Sequence, residues 1–191
     1  MTDSGSKNNG VQLLKDLRRG DPMAVAELYN TYADRIYSLV FNQVDRNHDV
    51  AQDIVQETFV AALKSAANFR NQSKVYTWLC SIANKKVSDF YRRQKRQAKY
   101  QITKALEPDQ IGDVGALAPH PAEPEERQEV TKQVLFNLPL HYRQVLILKY
   151  VEEMPVLEIS QIMGRSPKSI EGLLTRARKE MQTKLAAPSE G

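Results

Sequence analysis

Apolar residues recur at intervals of three and four positions through most of this chain, which is the period of one face of an α-helix. No segment of useful length alternates apolar and polar residues as a strand would, and no segment repeats another. The pattern predicts helices over residues 11–19, 22–44, 49–67, 75–96, 125–138, 139–151, 156–163 and 167–185. The sequence therefore predicts an all-α fold.

The last two predicted helices are joined by residues that end one helix and start another. Gly164 stands where the end of a helix favours a left-handed backbone. Ser166 can cap the next helix, and Pro167 fits its first turn, where no N–H donor is needed. A short helix, a glycine turn and a basic, amphipathic second helix are typical of a helix-turn-helix DNA-binding domain. An ordinary helical hairpin with a solvated charged face is the alternative interpretation.

The composition places the chain among globular proteins of one or two domains. Of its 191 residues, 41% are hydrophobic and 26% are charged. No apolar run approaches the ~20 residues that a membrane span needs, and the polar first ten residues do not resemble a secretory signal. The single cysteine, Cys80, excludes an internal disulfide and a multi-cysteine zinc site. These features predict a cytoplasmic protein.

The net charge of +4 conceals a strong segregation of charge along the chain. Residues 85–99 contain seven basic residues and one acid, Asp89, whereas residues 107–129 contain seven acids and one base, Arg127. Residues 165–184 contain six basic residues and two acids. Two basic blocks separated by an acidic one indicate two contacts with a polyanion, joined by a segment that avoids it.

Residues 100–124 contain four prolines and two glycines and show no amphipathic period, which predicts a flexible acidic linker. The linker separates a first helical domain, residues 11–99, from a second, residues 125–187, that contains the helix-turn-helix. The polar residues 1–10 predict a disordered tail. The predicted architecture is therefore two small helical domains joined by a flexible linker.

The predicted helix over residues 75–96 changes character midway. Its first half is apolar and aromatic and contains Tyr76 and Trp78, and its second half places Lys85, Arg92 and Arg96 on one face. Basic side chains neutralise phosphates, and aromatic rings beside them can stack on unpaired bases. The alternative is a tryptophan packed in the core and a solvated basic helix end. We expect Asp89 to pair with Arg92 or Arg93, one turn away.

Candidate catalytic residues are few. Asp53 and Glu57 lie one turn apart on a predicted helix and could be metal ligands, acid–base groups, a solvated face or an acidic docking surface for a basic partner. The histidines, His48, His120 and His141, are spread along the chain, and no glycine-rich phosphate loop occurs. The sequence therefore predicts no enzyme, catalytic residue, metal site, cofactor or small-molecule substrate.

Three motifs in this order resemble the extracytoplasmic-function (ECF) family of bacterial RNA polymerase sigma factors. Residues 49–63, DVAQDIVQETFVAAL, look like the core-polymerase-binding helix of the family. Residues 138–181 are similar to its L-P-x-x-x-R … E-I-A … R-A-R pattern, with Ser160 where alanine is frequent and Glu171 where a basic residue is common. The intervening W-L … I-A … D … R-R signature is carried by Trp78, Leu79, Ile82, Ala83, Asn84, Asp89, Arg92 and Arg93.

This resemblance implies a sigma region 2 domain over residues 11–99 and a sigma region 4 domain over residues 125–187. The first would bind the clamp helices of the largest polymerase subunit and melt the −10 promoter element, and the second would meet the polymerase flap and read the −35 element. The family is typically controlled by an anti-sigma factor. A stand-alone helix-turn-helix regulator is the alternative function, and an RNA-binding protein is a weaker one.

The resemblance also assigns site residues. The residues implied for core polymerase are Asp53, Gln56, Glu57 and Phe59. Those implied for the −10 element are Arg70, Lys74, Tyr76, Trp78, Asn84, Lys85, Arg92, Arg93 and Arg96. Those implied for the −35 element are Arg165, Ser166, Lys168, Ser169, Glu171, Thr175, Arg176 and Arg178.

Overall fold

A computed structural model describes residues 4–68, 73–104 and 124–186, and these ranges contain helices and turns but no strand. The all-α prediction is therefore confirmed for them. The α-helices are α1 (Ser4–Arg18), α2 (Pro22–Phe41), α3 (His48–Ser65), α4 (Val75–Lys104), α5 (Pro124–Phe136), α6 (Leu140–Leu146), α7 (Val156–Met163) and α8 (Pro167–Ala186). A 3₁₀ turn (Ala66–Asn68) follows α3, and a π-helical turn (Ile147–Val151) follows α6.

The first domain is built from α1 to α4. Helices α2, α3 and α4 pack on one another around Leu28, Leu39 and Leu79, which are at most 1% exposed, and α1 covers α2 and the 3₁₀ turn. A Cβ atom added to Gly10 of α1 would lie 3.2 Å from a methyl group of Val75, so the glycine permits the close approach of α1 to the start of α4.

The second domain is organised around α8, against which α5, α6 and α7 all pack. The apolar stripe of α8 is buried as predicted, with Ile170 and Leu173 at most 2% exposed. After α6 the backbone makes a π-helical turn, in which the N–H of Glu152 donates to the carbonyl of Ile147 at 3.0 Å. The next residue, Glu153, has a positive φ of 53°, and the chain then enters α7.

Local residues specify the helix ends. Asp21 precedes α2 and accepts a hydrogen bond from the backbone N–H of Met23 at 2.9 Å. Ser166 caps α8 by accepting from the N–H of Ser169 at 3.2 Å. Gly164 ends α7 in the left-handed region, with φ 62° and ψ 38°. The predicted helix-turn-helix geometry of α7 and α8 is therefore confirmed.

The two largest differences from the predicted boundaries lie at the start of α1 and at the end of α4. Helix α1 begins at Ser4, so residues 4–10 are helical where the sequence predicts a disordered tail. Helix α4 continues to Lys104, into the predicted linker, because residues 97–104 contain no glycine or proline that would end it. The rest of the predicted linker, residues 1–3 of the tail and residue 187 lie outside the described ranges. None of the described helices has the length and apolar character needed to cross a membrane.

Candidate nucleic-acid and polymerase interface

The face of α8 opposite its apolar stripe is accessible. Helical periodicity turns Ile170 and Leu173 inward and leaves the polar positions outside. Of the residues that the sequence assigns to the −35 element, Ser169 is half-buried, and the exposed ones are Arg165, Ser166, Lys168, Glu171, Thr175, Arg176 and Arg178. The structure therefore brings the whole predicted set together on one surface.

His141 lies close to the basic side chains of this surface. It lies at the start of α6, and its pKa is lowered first by partial burial and then by the charges of Arg165 and Arg176. The hydroxyl of Thr175 donates to the carbonyl of Glu171 at 3.0 Å within the helix, whereas the Glu171 carboxylate is exposed. The surface thus combines basic side chains with one carboxylate acceptor at its centre.

The outer face of α3 carries the predicted polymerase-binding residues. Asp53 and Gln56 are exposed, and Glu57 lies 2.9 Å from Lys86 Nζ and 3.7 Å from Arg93 Nη2. The hydrogen bond from Lys86 is the main cause that lowers the pKa of the Glu57 carboxyl. The acidic docking surface predicted here therefore consists of exposed side chains, one of which is ion-paired with α4.

Phe59 departs from that prediction. It is only 7% exposed, and its ring lies 5.0 Å from that of Tyr29. Its position on the apolar stripe of α3, together with Val55 and Ala62, turns it into the core. Phe59 therefore packs beneath the acidic docking surface of α3 and is not part of that surface.

Residues 85–99 of α4, referred to below as its second half, are basic and mostly exposed. Lys85 and Arg96 are exposed, and Arg92 lies 3.2 Å from Asp89, which confirms the predicted pairing within the helix. Arg93 instead reaches Glu57 of α3. Arg70, which the sequence also assigns to the −10 element, lies outside the described residues.

Tyr76, in the first turn of α4, is buried. The guanidinium carbon of Arg35 lies 3.7 Å from the centre of its ring, and the ring of Tyr32 stacks at 6.2 Å. Both neighbours belong to α2 of the same domain, so this ring is covered in the arrangement seen here, and its assignment to the −10 element stays a prediction. The hydroxyl donates to the carboxylate of Glu152 at 2.6 Å, and burial raises the pKa of that hydroxyl far above its ordinary value.

The start of α4 meets a second carboxylate from the second domain. The hydroxyl of Thr77, which is 2% exposed, donates to Glu158 of α7 at 3.0 Å. Lys74 Nζ, just before α4, lies 3.2 Å from the other oxygen of Glu158. Trp78 is half-buried beside them. The first part of the predicted −10 surface is thus in contact with α7 of the second domain.

Arg143 of α6 joins the ends of two helices. It is 7% exposed, and it donates to the carbonyl of Gln43, after α2, at 2.9 Å and to the carbonyl of Phe136, the last residue of α5, at 2.6 Å. It also donates to the Tyr91 hydroxyl at 3.0 Å. Carbonyls at helix C-termini favour a cation, so these partners stabilise the buried guanidinium without a carboxylate.

Gln144 continues this contact next to Arg143. Its amide nitrogen donates to the side chain of Gln43, the carbonyl of Asn84 and the hydroxyl of Ser88, each at 3.2 Å. Asn84, which the sequence assigns to DNA, is 7% exposed and faces this contact. Asn84 is therefore covered by α6 in the arrangement seen here, and its assignment to DNA stays a prediction.

Four residues that hold the domains together were not identified as a site from the sequence: Arg143, Gln144, Glu152 and Glu158. Two of them had a signal, since Arg143 and Glu158 occupy fixed positions of the resembling L-P-x-x-x-R and E-I motifs. Nothing in the local pattern of Gln144 or Glu152 distinguishes them from solvated polar residues. Only the packing of the two domains gives them a role.

Acid–base and metal chemistry has no cluster to support it in the described part of the chain. No group of His, Cys, Asp and Glu there could hold a metal ion. Cys80 is fully buried, and that burial raises the pKa of its thiol to about 12, so it is not a reactive thiolate. His48 is engaged by the hydroxyl of Tyr37 at 2.6 Å.

Comparison with known proteins agrees with this arrangement. Residues 28–97 match the family described as Sigma-70 region 2, and residues 132–181 match Sigma-70, region 4. The chain is 29% identical to the ECF RNA polymerase sigma factor SigW of Bacillus subtilis over 177 residues, covering 90% of this chain and 94% of SigW. It is 30% identical to ECF RNA polymerase sigma factor SigM of the same organism, covering 84% and 94% of the two chains.

Solved structures share the fold. CnrH, in complex with the cytosolic domain of CnrY, is similar with a TM-score of 0.64 at 22% identity, covering 92% of this chain and 96% of CnrH. The sigma factor RpoE of Bartonella quintana, in complex with the anti-sigma factor NepR, is similar with a TM-score of 0.60 at 19% identity, covering 84% and 95%. At these identities the likeness establishes the shared fold alone.

Proposed function

The chain belongs to the ECF family of RNA polymerase sigma factors, non-enzymatic proteins that direct polymerase to promoters, and we propose that its two domains read separate promoter elements. The observation that carries the proposal is the solvent-accessible face of α8, the helix that follows the Gly164 turn. An exposed basic helix in this position can enter the major groove. We assign recognition of the −35 element to this face.

In α8 and the turn before it, the side chains divide by chemistry. Arg165, Lys168, Arg176 and Arg178 supply positive charge for phosphates or guanine edges, and Ser166 and Ser169 lie where the helix starts. Glu171 cannot hold a phosphate, but its exposed carboxylate can accept a hydrogen bond from a cytosine N4 amine. We propose that Glu171 contributes sequence selectivity and that the arginines contribute affinity.

The first domain is proposed to bind and open the −10 element. Lys85, Arg92, Arg93 and Arg96 on the second half of α4 would neutralise phosphates of the strand. The start of α4 would hold the unpaired bases, with Trp78 as its half-buried ring. Arg70, Lys74, Tyr76 and Asn84 complete this proposed surface, Tyr76 through its hydroxyl and not through its covered ring.

The proposed polymerase contact is the exposed acidic face of α3. Asp53, Gln56 and Glu57 point outward there, and Phe59 fixes the helix from the core. We propose that this face binds the clamp helices of the largest polymerase subunit, and that the second domain contacts the flap. A protein with these partners works in the cytoplasm of a bacterial cell.

We also propose that an anti-sigma factor controls the protein. Two solved structures with a similar fold contain a bound protein partner: CnrH with the cytosolic domain of CnrY, and RpoE with the anti-sigma factor NepR. We propose a protein partner of this class for this chain too.

Reconstituted transcription tests the proposed function. The protein is mixed with core RNA polymerase and a library of genomic fragments, and the 5′ ends of the transcripts are mapped. We expect transcripts that start at a small set of sites and that disappear when the protein is omitted. A protein that binds DNA tightly by itself but directs no transcript from any fragment would instead be a stand-alone helix-turn-helix regulator.

A further inference from the structure

The contact between the domains lies on a surface that the proposed function requires. Glu158 is bound by Thr77 and Lys74, and Glu152 is bound by Tyr76. These three partners lie at or just before the first turn of α4, where unpaired backbone N–H groups favour negative charge. The carboxylates of the second domain thus occupy a position that also suits a DNA phosphate.

The covered residues are those assigned to the −10 strand. Lys74, Tyr76 and Asn84 each face the second domain, through Glu158, Glu152 and Gln144 respectively. By contrast, Lys85 and Arg96 farther along α4 are exposed in the same arrangement. A single strand could therefore reach the basic half of α4 but not its start.

The covering contact is polar and incompletely satisfied. Three buried polar atoms lack a hydrogen-bond partner among the described residues, namely Gln43 Nε2, Asn84 Oδ1 and Arg143 Nε, and all belong to residues of the contact. Each such atom would regain water if the domains separated, which lowers the cost of separation. A solvent-open groove of about 400 Å³, lined by Arg46 of the first domain and Lys132 of the second, runs along the edge of the contact.

We propose that Glu152 and Glu158 hold the second domain over the −10 surface of the first, so that closure of the domains and binding of single-stranded −10 DNA exclude each other. This inference rests on the function proposed above, because it takes its DNA surface from there. In the closed arrangement the carboxylates replace the strand at Lys74, Thr77 and Tyr76. In the open arrangement the same donors, together with Asn84, are available to DNA.

Neutral variants of the carboxylates test the proposal in the full chain. Glu158→Gln and the double variant Glu152→Gln/Glu158→Gln keep the shape of the side chains and leave both DNA surfaces unmodified. Glu153→Gln is the matched control, since Glu153 is exposed, lies in the same segment, and makes no side-chain hydrogen bond to the described part of the chain. Circular dichroism checks that every variant is folded.

Two measurements are made on each variant. Small-angle X-ray scattering gives the radius of gyration of the free protein, and fluorescence anisotropy gives its affinity for a short labelled single strand of mixed sequence. We expect Glu158→Gln to increase the radius of gyration and to bind the single strand about fivefold more tightly than Glu153→Gln, since a charge-assisted contact with the closed domain is lost. The affinity for duplex DNA, which binds at α8, should be equal in the two variants.

Gln144→Ala weakens the contact between the domains at a second, independent place, on α6. It should also increase the radius of gyration and the single-strand affinity, because Gln144 donates to three groups of the first domain. Radii of gyration equal to that of Glu153→Gln in all the variants would overturn the proposal. So would an increased radius with an unchanged single-strand affinity, because closure would then cover something other than the DNA surface.

Failure of the proposed function would look different. The variants could open and gain single-strand affinity although the protein directs no transcript with core polymerase. That result would support the closure and refute the proposed promoter function. Variants that neither open nor gain affinity, in a protein that does direct transcripts, would overturn the closure alone.

Discussion

The start of α4 and the outer face of α8 are both predicted to contact nucleic acid but are treated differently by the fold. The start of α4 offers aromatic and polar side chains next to Lys74, whereas α8 offers basic and polar side chains at helical spacing. On α8, Lys168 and Arg178 are exposed, whereas Tyr76 and Thr77 on α4 are less than 10% exposed. The comparison teaches that a basic helical face marks a capacity to bind DNA, whereas packing decides whether that capacity is available.

What covers α4 explains the difference. Helix α8 needs only its apolar stripe for packing, so its other face is left to solvent. The start of α4 meets the second domain through hydroxyl, ammonium and carboxylate groups, such as Thr77, Lys74 and Glu158. The polar groups of this contact can form hydrogen bonds to water or to a nucleic acid instead. The apolar side chains of a core cannot.

The largest expected effect comes from the buried arginine of the contact. Arg143→Ala should lower the free energy of unfolding by about 3 kcal/mol, because it leaves carbonyls of Gln43 and Phe136 without their charged donor. Urea unfolding followed by circular dichroism measures the loss. Arg178→Ala on the exposed face of α8 is the control and should change stability by less than ~0.5 kcal/mol. Equal losses in the two variants would break the contrast between the covered and the open surface.

A second effect concerns the acidic face of α3. Packing leaves this face exposed to solvent, as it does the outer face of α8. Asp53→Arg should weaken binding to core polymerase about tenfold, because it reverses an exposed charge at the proposed contact. Surface plasmon resonance with immobilised core polymerase gives the affinity. Asp34→Arg makes the same charge reversal at an exposed position of α2 and should have little effect. If both variants bind equally, the polymerase contact lies elsewhere.

A third effect sharpens the comparison on the α8 side. Arg178→Ala should weaken binding to duplex DNA containing the −35 element about fivefold and reduce the slope of log affinity against log salt by about one. Binding is measured by anisotropy over a range of salt concentrations. Lys184→Ala, in the last turn of the same helix, is the matched control. An unchanged affinity and slope for Arg178→Ala would count against its role.

The smallest expected effect is on the pH dependence of stability. Lys86 lowers the pKa of Glu57, so the stabilisation is fully present above the ordinary carboxyl pKa of 4.5 and is lost as the pH falls through the lower folded-state value. Because the Glu57 side chain is 41% exposed, the contribution should stay below ~0.5 kcal/mol. Urea unfolding of Glu57→Gln should show this deficit near pH ~6 and a smaller one near pH ~3. A deficit that is independent of pH would show that the ion pair is not its cause.

The sequence predicts most of the fold because its helices are specified locally. Apolar periodicity, the Asp21 and Ser166 caps and the Gly164 turn each act within a few residues, and the structure contains all of them. The errors lie where local signals are weak. Residues 4–10 have no apolar period, yet α1 begins at Ser4 and Gly10 packs against Val75.

The candidate surfaces divide in the same way. The exposure of the α8 face follows from its own helical period, and the Asp89–Arg92 pair follows from its spacing. The burial of Phe59 was open to prediction, since it shares a stripe with Val55 and Ala62. The covering of Tyr76 and Asn84 depends on residues 76 and 60 positions away, Glu152 and Gln144, and no local pattern contains that information.

The sequence by itself therefore determined the all-α fold, the helix-turn-helix, the basic and acidic surfaces and the family, because these depend on residue type and spacing along single helices. Only the tertiary structure decided which of those surfaces are covered. Arg143, Glu152 and Glu158 acquire their roles from helix ends and side chains of the other domain. The physical reason is that a buried polar contact between domains is specified by the matching of two distant surfaces, which neither surface encodes alone.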